Sequence, residues 1–243
     1  MSIIIPAYNE ANRIGASLHK IAVHFYGRTD HLEVIVVDDG SQDATSRIVE
    51  SIAQAHPWIQ LLRNAVNTGK GAAVRAGVLS AKENRIAFCD ADLSAPIEEL
   101  NELLTYLDKG FDIAISSRIS GGPAKHVKRE LFRRLMAVVF NRFVRFLLIR
   151  KIADTQCGLK AFTRPVALDL FAQQSITGFA FDVELLWRAQ RAGHRIVEVP
   201  VSWVADPESR IRPWSDSLTM ARDVISLWFH ERVIPAWRGI AHG

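Results

Sequence analysis

The 243 residues are 49% hydrophobic and carry 30 Lys and Arg against 26 Asp and Glu, a formal net charge of +4. That composition excludes a disordered or low-complexity chain and allows one large domain or two small ones. No stretch reaches the roughly 18–20 apolar residues of a membrane span, and the mild positive balance favours anionic partners such as phosphates or anionic lipid.

The apolar start Ser2-Ile3-Ile4-Ile5-Pro6 is too short for a secretory signal and reads as a first, fully buried strand closed by proline. Pro6 to Glu10 form a loop, with Asn9 or Asn12 expected to cap the helix that follows. Leu32 to Val37 is a second buried strand running into the turn cluster Asp38-Asp39-Gly40-Ser41. Asp43 to Ala55 has helical spacing, Ile59 to Leu62 reads as a third strand, and Gly69-Lys70-Gly71 opens another helix. Ile86-Ala87-Phe88 is a fourth strand and Phe111 to Ser116 a fifth. Strands separated by helices of about 10–15 residues indicate a parallel sheet covered on both faces. The two cysteines, Cys89 and Cys157, lack metal-ligand spacing and lie in apolar surroundings, as reduced core thiols of a cytosolic protein would.

The polar residues of interest follow strands one, two, four and five, where a doubly wound sheet binds its ligand. Chief among them is Asp90-Ala91-Asp92. If that stretch is extended, residues i and i+2 point the same way. Asp90 and Asp92 then reach one divalent cation, and hard oxygen ligands suit Mg²⁺ or Mn²⁺. Such a cation neutralises a diphosphate leaving group. Taken alone, an Asp-x-Asp triplet is also an ordinary turn or surface acid pair.

Pro6-Ala7-Tyr8-Asn9-Glu10, Asp38-Asp39-Gly40-Ser41, Gly69-Lys70-Gly71 and Asp90-Ala91-Asp92 occur in the order and spacing of family 2 glycosyltransferases. Asp154-Thr155-Gln156-Cys157-Gly158-Leu159-Lys160, Phe181-Asp182-Val183-Glu184 and Glu198-Val199-Pro200-Val201 extend the match, which resembles the polyprenyl- and dolichyl-phosphate sugar synthases over residues 3 to about 215. The resemblance implies an α/β fold of GT-A type: a Rossmann-like, mixed, mainly parallel sheet flanked by helices, with interfacial amphipathic helices. It implies a domain over 1–215, with basic amphipathic helices in 122–152, followed by a C-terminal amphipathic helix over 216–243.

The implied reaction is metal-dependent, inverting transfer of a hexose from a nucleotide sugar to a polyprenyl phosphate. Lys70 to Arg75 and Ala180 to Leu185 are closer to the glucosyl branch, which favours UDP-glucose over GDP-mannose, while Leu93-Ser94-Ala95-Pro96 is closer to the mannosyl form. The resemblance places Pro6, Tyr8, Glu10, Asp38, Asp39, Lys70, Asp90 and Ala91 around the nucleotide sugar, and Asp90 and Asp92 on Mg²⁺ or Mn²⁺. Arg118, Arg133 and Arg210 are assigned to the acceptor phosphate, and Asp92, Arg118 and Asp182 to catalysis. Ser94 stands where some relatives supply a third metal contact from Gln, and Ala137 replaces a serine often found one turn after Arg133. Asp182 and Glu184 also fit capping acids at a helix start. Ser209-Arg210 and Arg212 sit in a polar loop after a strand expected over Glu198 to Val204.

Residues 118–151 carry many cations, Arg133, Arg134, Arg142 and Arg145 among them, against the single acid Glu130, interleaved with Phe, Leu and Val. A basic helical stretch of that kind suits a helix lying in the membrane interface. The expectation is a peripheral enzyme on the cytoplasmic face of a membrane that takes its acceptor from the bilayer, with homo-oligomerisation through the tail as a further possibility. No nucleic-acid-binding motif accompanies the basic residues. Two other readings stay open at this level: a family 2 enzyme using a soluble or polysaccharide acceptor with Asp182 as general base, and a non-enzymatic nucleotide-sugar or nucleic-acid binder.

Overall fold

The computed structural model describes residues 1–118, 142, 144, 147–149, 151–203 and 213–229. Among these, seven strands form one sheet: β1 (Ser2–Ala7), β2 (Glu33–Asp39), β3 (Ile59–Asn64), β4 (Arg85–Phe88), β5 (Ile113–Ser117), β6 (Lys160–Thr163) and β7 (Ile196–Pro200). Their order is β3-β2-β1-β4-β6-β5-β7. The β1, β2, β3 and β4 pairings and the β5–β7 pairing are parallel. Only β6 runs antiparallel, inserted between β4 and β5.

The described helices are α1 (Ile14–His24), α2 (Thr45–Ala55), α3 (Lys70–Ser80), α4 (Leu100–Asp108), α5 (Arg164–Ala172), α6 (Phe181–Arg191) and α7 (Pro213–Trp228). They divide between the two faces of the sheet. Successive strand residues point to opposite faces, so Ile3 and Ile5 join Val34 and Val36 under α1, α2 and α4. Ile4 joins Ile35, Val37 and Phe88 under α3, α5, α6 and α7. Strands buried on both faces have no polar side, which is why β1 and β2 read as unbroken apolar runs.

The mixed, mainly parallel sheet and its flanking helices are those expected. Local expectations need correction. The strand expected over Glu198 to Val204 begins at Ile196 and ends at Pro200. Neither Asn9 nor Asn12 caps α1, whose N-cap position is Arg13, with no side-chain capping bond; the Asn9 side-chain oxygen instead accepts the Gln42 N–H at 2.8 Å. Helix α7 spans Pro213–Trp228, and its Val224 and Leu227 join the core below the sheet. Leu218 and Ile225 of this helix and the following Phe229 are exposed. Most of the basic segment 122–152, including Arg133, lies outside the described residues, as does Arg210. Among the described residues no helix is long and apolar enough to cross a membrane.

Phe88, at the end of β4, is the packing centre beneath the site. Its ring lies 6.0, 6.4 and 5.6 Å from those of Phe162, Phe171 and Phe181, drawing β6, α5 and α6 onto one point. Phe88→Ala is expected to lower the unfolding free energy by about 3–5 kcal/mol, the sum of lost burial and the cavity left behind. Val23→Ala, at a side chain 62% exposed, is expected to change it by no more than about 0.5 kcal/mol. Urea unfolding of the two variants measures the contrast.

Candidate active site

The parallel strands deliver their polar continuations to one rim of the sheet, where α/β sheets bind ligands. Tyr8 follows β1, Asp38 and Asp39 end β2, Asn64 ends β3, Asp90 follows β4 and Arg118 follows β5. Because β6 is antiparallel, its first residue reaches the same rim: Lys160 pairs with Phe88 on one side and Ile115 on the other.

Beyond β1, β2 and β3 the rim opens into a polar cavity of about 480 Å³, lined in part by Tyr8, Asp38, Gly40, Ser41, Arg63 and Asn67. The Asp38 carboxylate accepts the Ser41 N–H at 2.9 Å and the Ser46 hydroxyl. Asp39 is committed to the protein itself. It accepts from the Asn64 amide at 2.8 Å, the Thr68 hydroxyl at 2.7 Å and the Gly69 N–H at 2.8 Å. Its work is to tie the start of α3 to the end of β2. Glu10 pairs with Arg13 at 2.6 Å. Pro6 lies within β1 opposite Val37. The Ala91 carbonyl accepts the Ser17 hydroxyl at 2.6 Å, pinning the acidic loop to α1.

The start of α3 is held from the other side as well. Gly69 adopts φ +103°, and a Cβ there would lie 2.5 Å from the Thr177 carbonyl oxygen, so glycine is required. That carbonyl accepts the Ala72 N–H at 3.1 Å. Glu184, fully buried, grips the same loop through the Ser175 N–H at 3.0 Å and the Ile176 N–H at 2.7 Å.

Fixed in this way, Lys70 places its ammonium 2.5 Å from Asp90 Oδ1. A second cation lies beneath: Lys160, 1% exposed, pairs with Asp182 at 2.8 Å and donates to the Cys157 carbonyl at 2.6 Å. A buried ammonium needs both partners, since an unpaired charge in that environment is strongly unfavourable. Burial pushes the Asp90 carboxyl up, but Lys70, Lys160 and Arg118 outweigh it and hold it below the ordinary carboxylate range. Asp92 goes the other way, raised by burial and by the charge of Asp90. Asp182 is raised by burial despite Lys160 and Lys70. Lys70 loses by burial but gains more from Asp90, Asp182 and Asp92, and is raised.

The acidic loop is not the extended segment expected. Strand β4 stops at Phe88, and Asp90 to Leu93 form a turn in which the Leu93 N–H binds the Asp90 carbonyl at 3.1 Å and Leu93 has φ +49°. One Asp92 oxygen accepts the Ser94 N–H at 2.9 Å. Gly158 forms the floor. A Cβ there would lie 1.9 Å from Asp90 Oδ2, so only glycine admits the carboxylate.

Arg118 forms a two-pronged pair with Asp154, its Nε and Nη2 each 2.7 Å from a carboxylate oxygen, and lies 5.7 Å over the Trp203 ring. Glu198 sets this pair by accepting the Ala153 and Asp154 N–H groups at 3.0 and 2.7 Å. Arg118 holds Asp154 well below the ordinary carboxylate range although burial opposes it. Asp182 sits in the first turn of α6 rather than at its cap, which is Ala180.

Lys160, Asp154, Gly158 and Glu198 stand among these contacts without having been assigned roles from the sequence. A lysine inside Leu159-Lys160-Ala161-Phe162 was the available signal, because a lone charge in an apolar strand must find a buried partner. Arg133 and Arg210 lie outside the described residues, so their assignment to the acceptor phosphate has no geometry here.

The family model for glycosyl transferase family 2 matches residues 2–171. The chain is 34% identical over 242 residues to a dolichyl-phosphate beta-glucosyltransferase of Dictyostelium discoideum, covering 94% of this chain and 74% of that protein. It is 31% identical over 255 residues to the dolichyl-phosphate beta-glucosyltransferase of Homo sapiens, covering 98% and 77%. Among solved structures, glucosyl-3-phosphoglycerate synthase from Mycobacterium tuberculosis, in complex with Mn²⁺, uridine diphosphate and phosphoglyceric acid, superposes with a TM-score of 0.69. The identity there is 22%, over 94% of this chain and 77% of that one, a likeness of fold.

The Arg118–Asp154 pair predicts a pH dependence. A carboxyl depressed by folding adds stability above its unfolded value, about pH 3.9, which is lost as pH falls through the lower folded value. Asp154→Asn is expected to destabilise by about 3 kcal/mol at neutral pH, because it leaves a largely buried guanidinium without its partner. The gap between variant and wild type should close as the pH falls below about 4, read from urea midpoints across that range.

Proposed function

We propose, on the premise that this chain belongs to glycosyl transferase family 2 and is a glycosyltransferase, that it moves glucose from UDP-glucose to the phosphate of a dolichyl or related polyprenyl lipid. The observation that carries the reading is the acidic pair Asp90 and Asp92, with Lys70 on Asp90, on the same sheet rim as the cavity lined by Tyr8 and Asp38. Likeness over most of the chain to dolichyl-phosphate beta-glucosyltransferases supports the donor and acceptor.

A divalent cation fits this donor set. Asp90 and Asp92 supply hard oxygens, and the raised Asp92 carboxyl marks negative charge that a nearby cation would relieve. Among the described residues no third acid, His or Cys joins them, so the donor's diphosphate oxygens would complete the coordination of Mg²⁺ or Mn²⁺. When bound, such a cation supplies charge neutralisation at the leaving diphosphate.

The chain's own groups position the reactants. Tyr8 and Asp38 receive the base and ribose in the cavity, and Lys70 turns from Asp90 to the diphosphate. Arg118, held flat by Asp154 and Trp203, faces the acceptor phosphate with its remaining N–H, joined in this proposal by Arg133 and Arg210. The acceptor phosphate is already an anion at neutral pH, so its oxygen attacks the anomeric carbon without a general base. The bond from that carbon to the UDP oxygen breaks as the new one forms on the opposite face, inverting the centre. Asp182, paired with Lys160, then serves as a charge partner to Lys70 rather than as a proton acceptor. Catalysis on this account is positioning and electrostatic stabilisation. The basic, apolar segment 122–152, the exposed Leu218 and Ile225 of α7 and the following Phe229 would seat the enzyme peripherally on the cytoplasmic face of the membrane.

The test is transfer from radiolabelled UDP-glucose or GDP-mannose to a short-chain polyprenyl phosphate with Mn²⁺. The expected product is lipid-phosphate glucose from UDP-glucose, with Asp92→Asn slowing turnover by roughly 100-fold or more, as loss of a transition-state charge contact does. Faster transfer from GDP-mannose would overturn the donor, and unchanged turnover in Asp92→Asn would overturn the cation site.

A further inference from the structure

We infer that Lys70 is an internal counter-cation, so that a divalent ion reaches the Asp90–Asp92 pair only together with an anion that draws the ammonium away. The inference rests on the reading above, in which those two carboxylates hold the ion. It goes further by assigning the order in which the parts of the donor complex come together to one side chain.

Three observations lead to it. First, one Asp90 oxygen carries a cation and the other lies against the protein backbone. Oδ1 carries the Lys70 ammonium at 2.5 Å. Oδ2 lies so close over Gly158 that a single methyl group there would be 1.9 Å away. An ion using Oδ1 would therefore meet the ammonium at the same oxygen. Second, the ammonium is confined. Lys70 is the first residue of α3, and the preceding Thr68 and Gly69 are tied to Asp39. The following turn is tied to Thr177. Its side chain is 20% exposed and that of Asp90 34%, so both partners are reachable from the rim. Third, the neighbouring acid is already paired with a second cation: Asp182 holds Lys160 at 2.8 Å. The natural alternative partner is an anion arriving from outside, and the donor's diphosphate is that anion.

An ammonium and a divalent ion on the same carboxylate oxygen exclude one another. The free protein therefore binds the ion weakly, because the ion must displace a fixed positive charge and meet its repulsion. A diphosphate at the rim gives Lys70 two phosphate groups to bind, frees Asp90 Oδ1 and adds its own oxygens to the ion. Each ligand then strengthens the other, and the coupling is reciprocal by thermodynamic necessity. Lys70 accordingly acts in opposite directions on the two ligands, opposing the ion alone and favouring the nucleotide. A lysine that merely braced the fold would weaken both when removed.

The experiment measures Mn²⁺ binding to the full chain by electron paramagnetic resonance of the free ion, with and without UDP, for wild type, Lys70→Met and Lys70→Arg. Methionine keeps the stem without the charge, and arginine keeps the charge. The expected wild-type result is that UDP tightens Mn²⁺ binding by roughly tenfold or more, within the usual range of coupling between sites. Lys70→Met should bind Mn²⁺ alone roughly tenfold tighter than wild type, bind UDP more weakly and lose most of the coupling. Lys70→Arg should bind Mn²⁺ alone no tighter than wild type. If Mn²⁺ binds wild type in the presence of UDP but Lys70→Met binds the bare ion no tighter, the counter-cation role is overturned while the cation site stands. If Mn²⁺ binds wild type neither with nor without UDP, the cation site falls and this inference falls with it.

Discussion

Carboxylates gathered at the rim of an apolar sheet repel one another, and they persist only where fixed cations stand between them. Here Lys70 and Lys160 do so, one at the surface of the cluster and one beneath it. Asp90 is held below the ordinary carboxylate range because these cations and Arg118 overcome its burial, while Asp92 is raised by burial and by the charge of Asp90. The contrast between the two neighbours comes from environment, not from residue type. The rim is thereby kept charged and ordered.

Several conspicuous acids at this rim do structural work. Asp39, Glu184 and Glu198 each accept from backbone N–H groups of a neighbouring segment. Asp39 fixes the start of α3 from the β2 side, and Glu184 fixes the loop that packs against it from α6. Glu198 sets Asp154 and so the plane of the Arg118 guanidinium. Carboxylates suit this role because an ionised acceptor bonds backbone donors more strongly than a neutral one. The rim is rigid where Lys70 and Arg118 must be placed, and the glycines at 69 and 158 supply the room that side chains would take.

Family 2 membership joins two halves of the account. The proposed nucleotide half, from Tyr8 to Asp92, lies on β1 to β4, inside the matched residues 2–171. The proposed acceptor half draws on Arg118, on α7 and on segments beyond the described residues. The antiparallel strand β6 couples the halves, since Lys160 touches β4, β5 and Asp182 at once.

The first five strands, the two-faced burial of the sheet and the rim position of Tyr8, Asp38, Asp90 and Arg118 were legible in the sequence. Doubly buried strands leave unbroken apolar runs, and their polar continuations fall at one end by the geometry of parallel pairing. Strand β6 was not legible, because four residues led by a lysine carry no periodic signal. Nor could local sequence separate Asp38, beside the cavity, from Asp39, consumed by four donors, since adjacent residues of a strand point to opposite sides. The pairing of Lys160 with Asp182, and of Arg118 with Asp154, joins residues 22 and 36 positions apart. Sequence determined which strands form and which charges reach the rim; tertiary structure alone decided which of those charges neutralise one another, because ion pairs depend on distances in space that chain spacing does not encode.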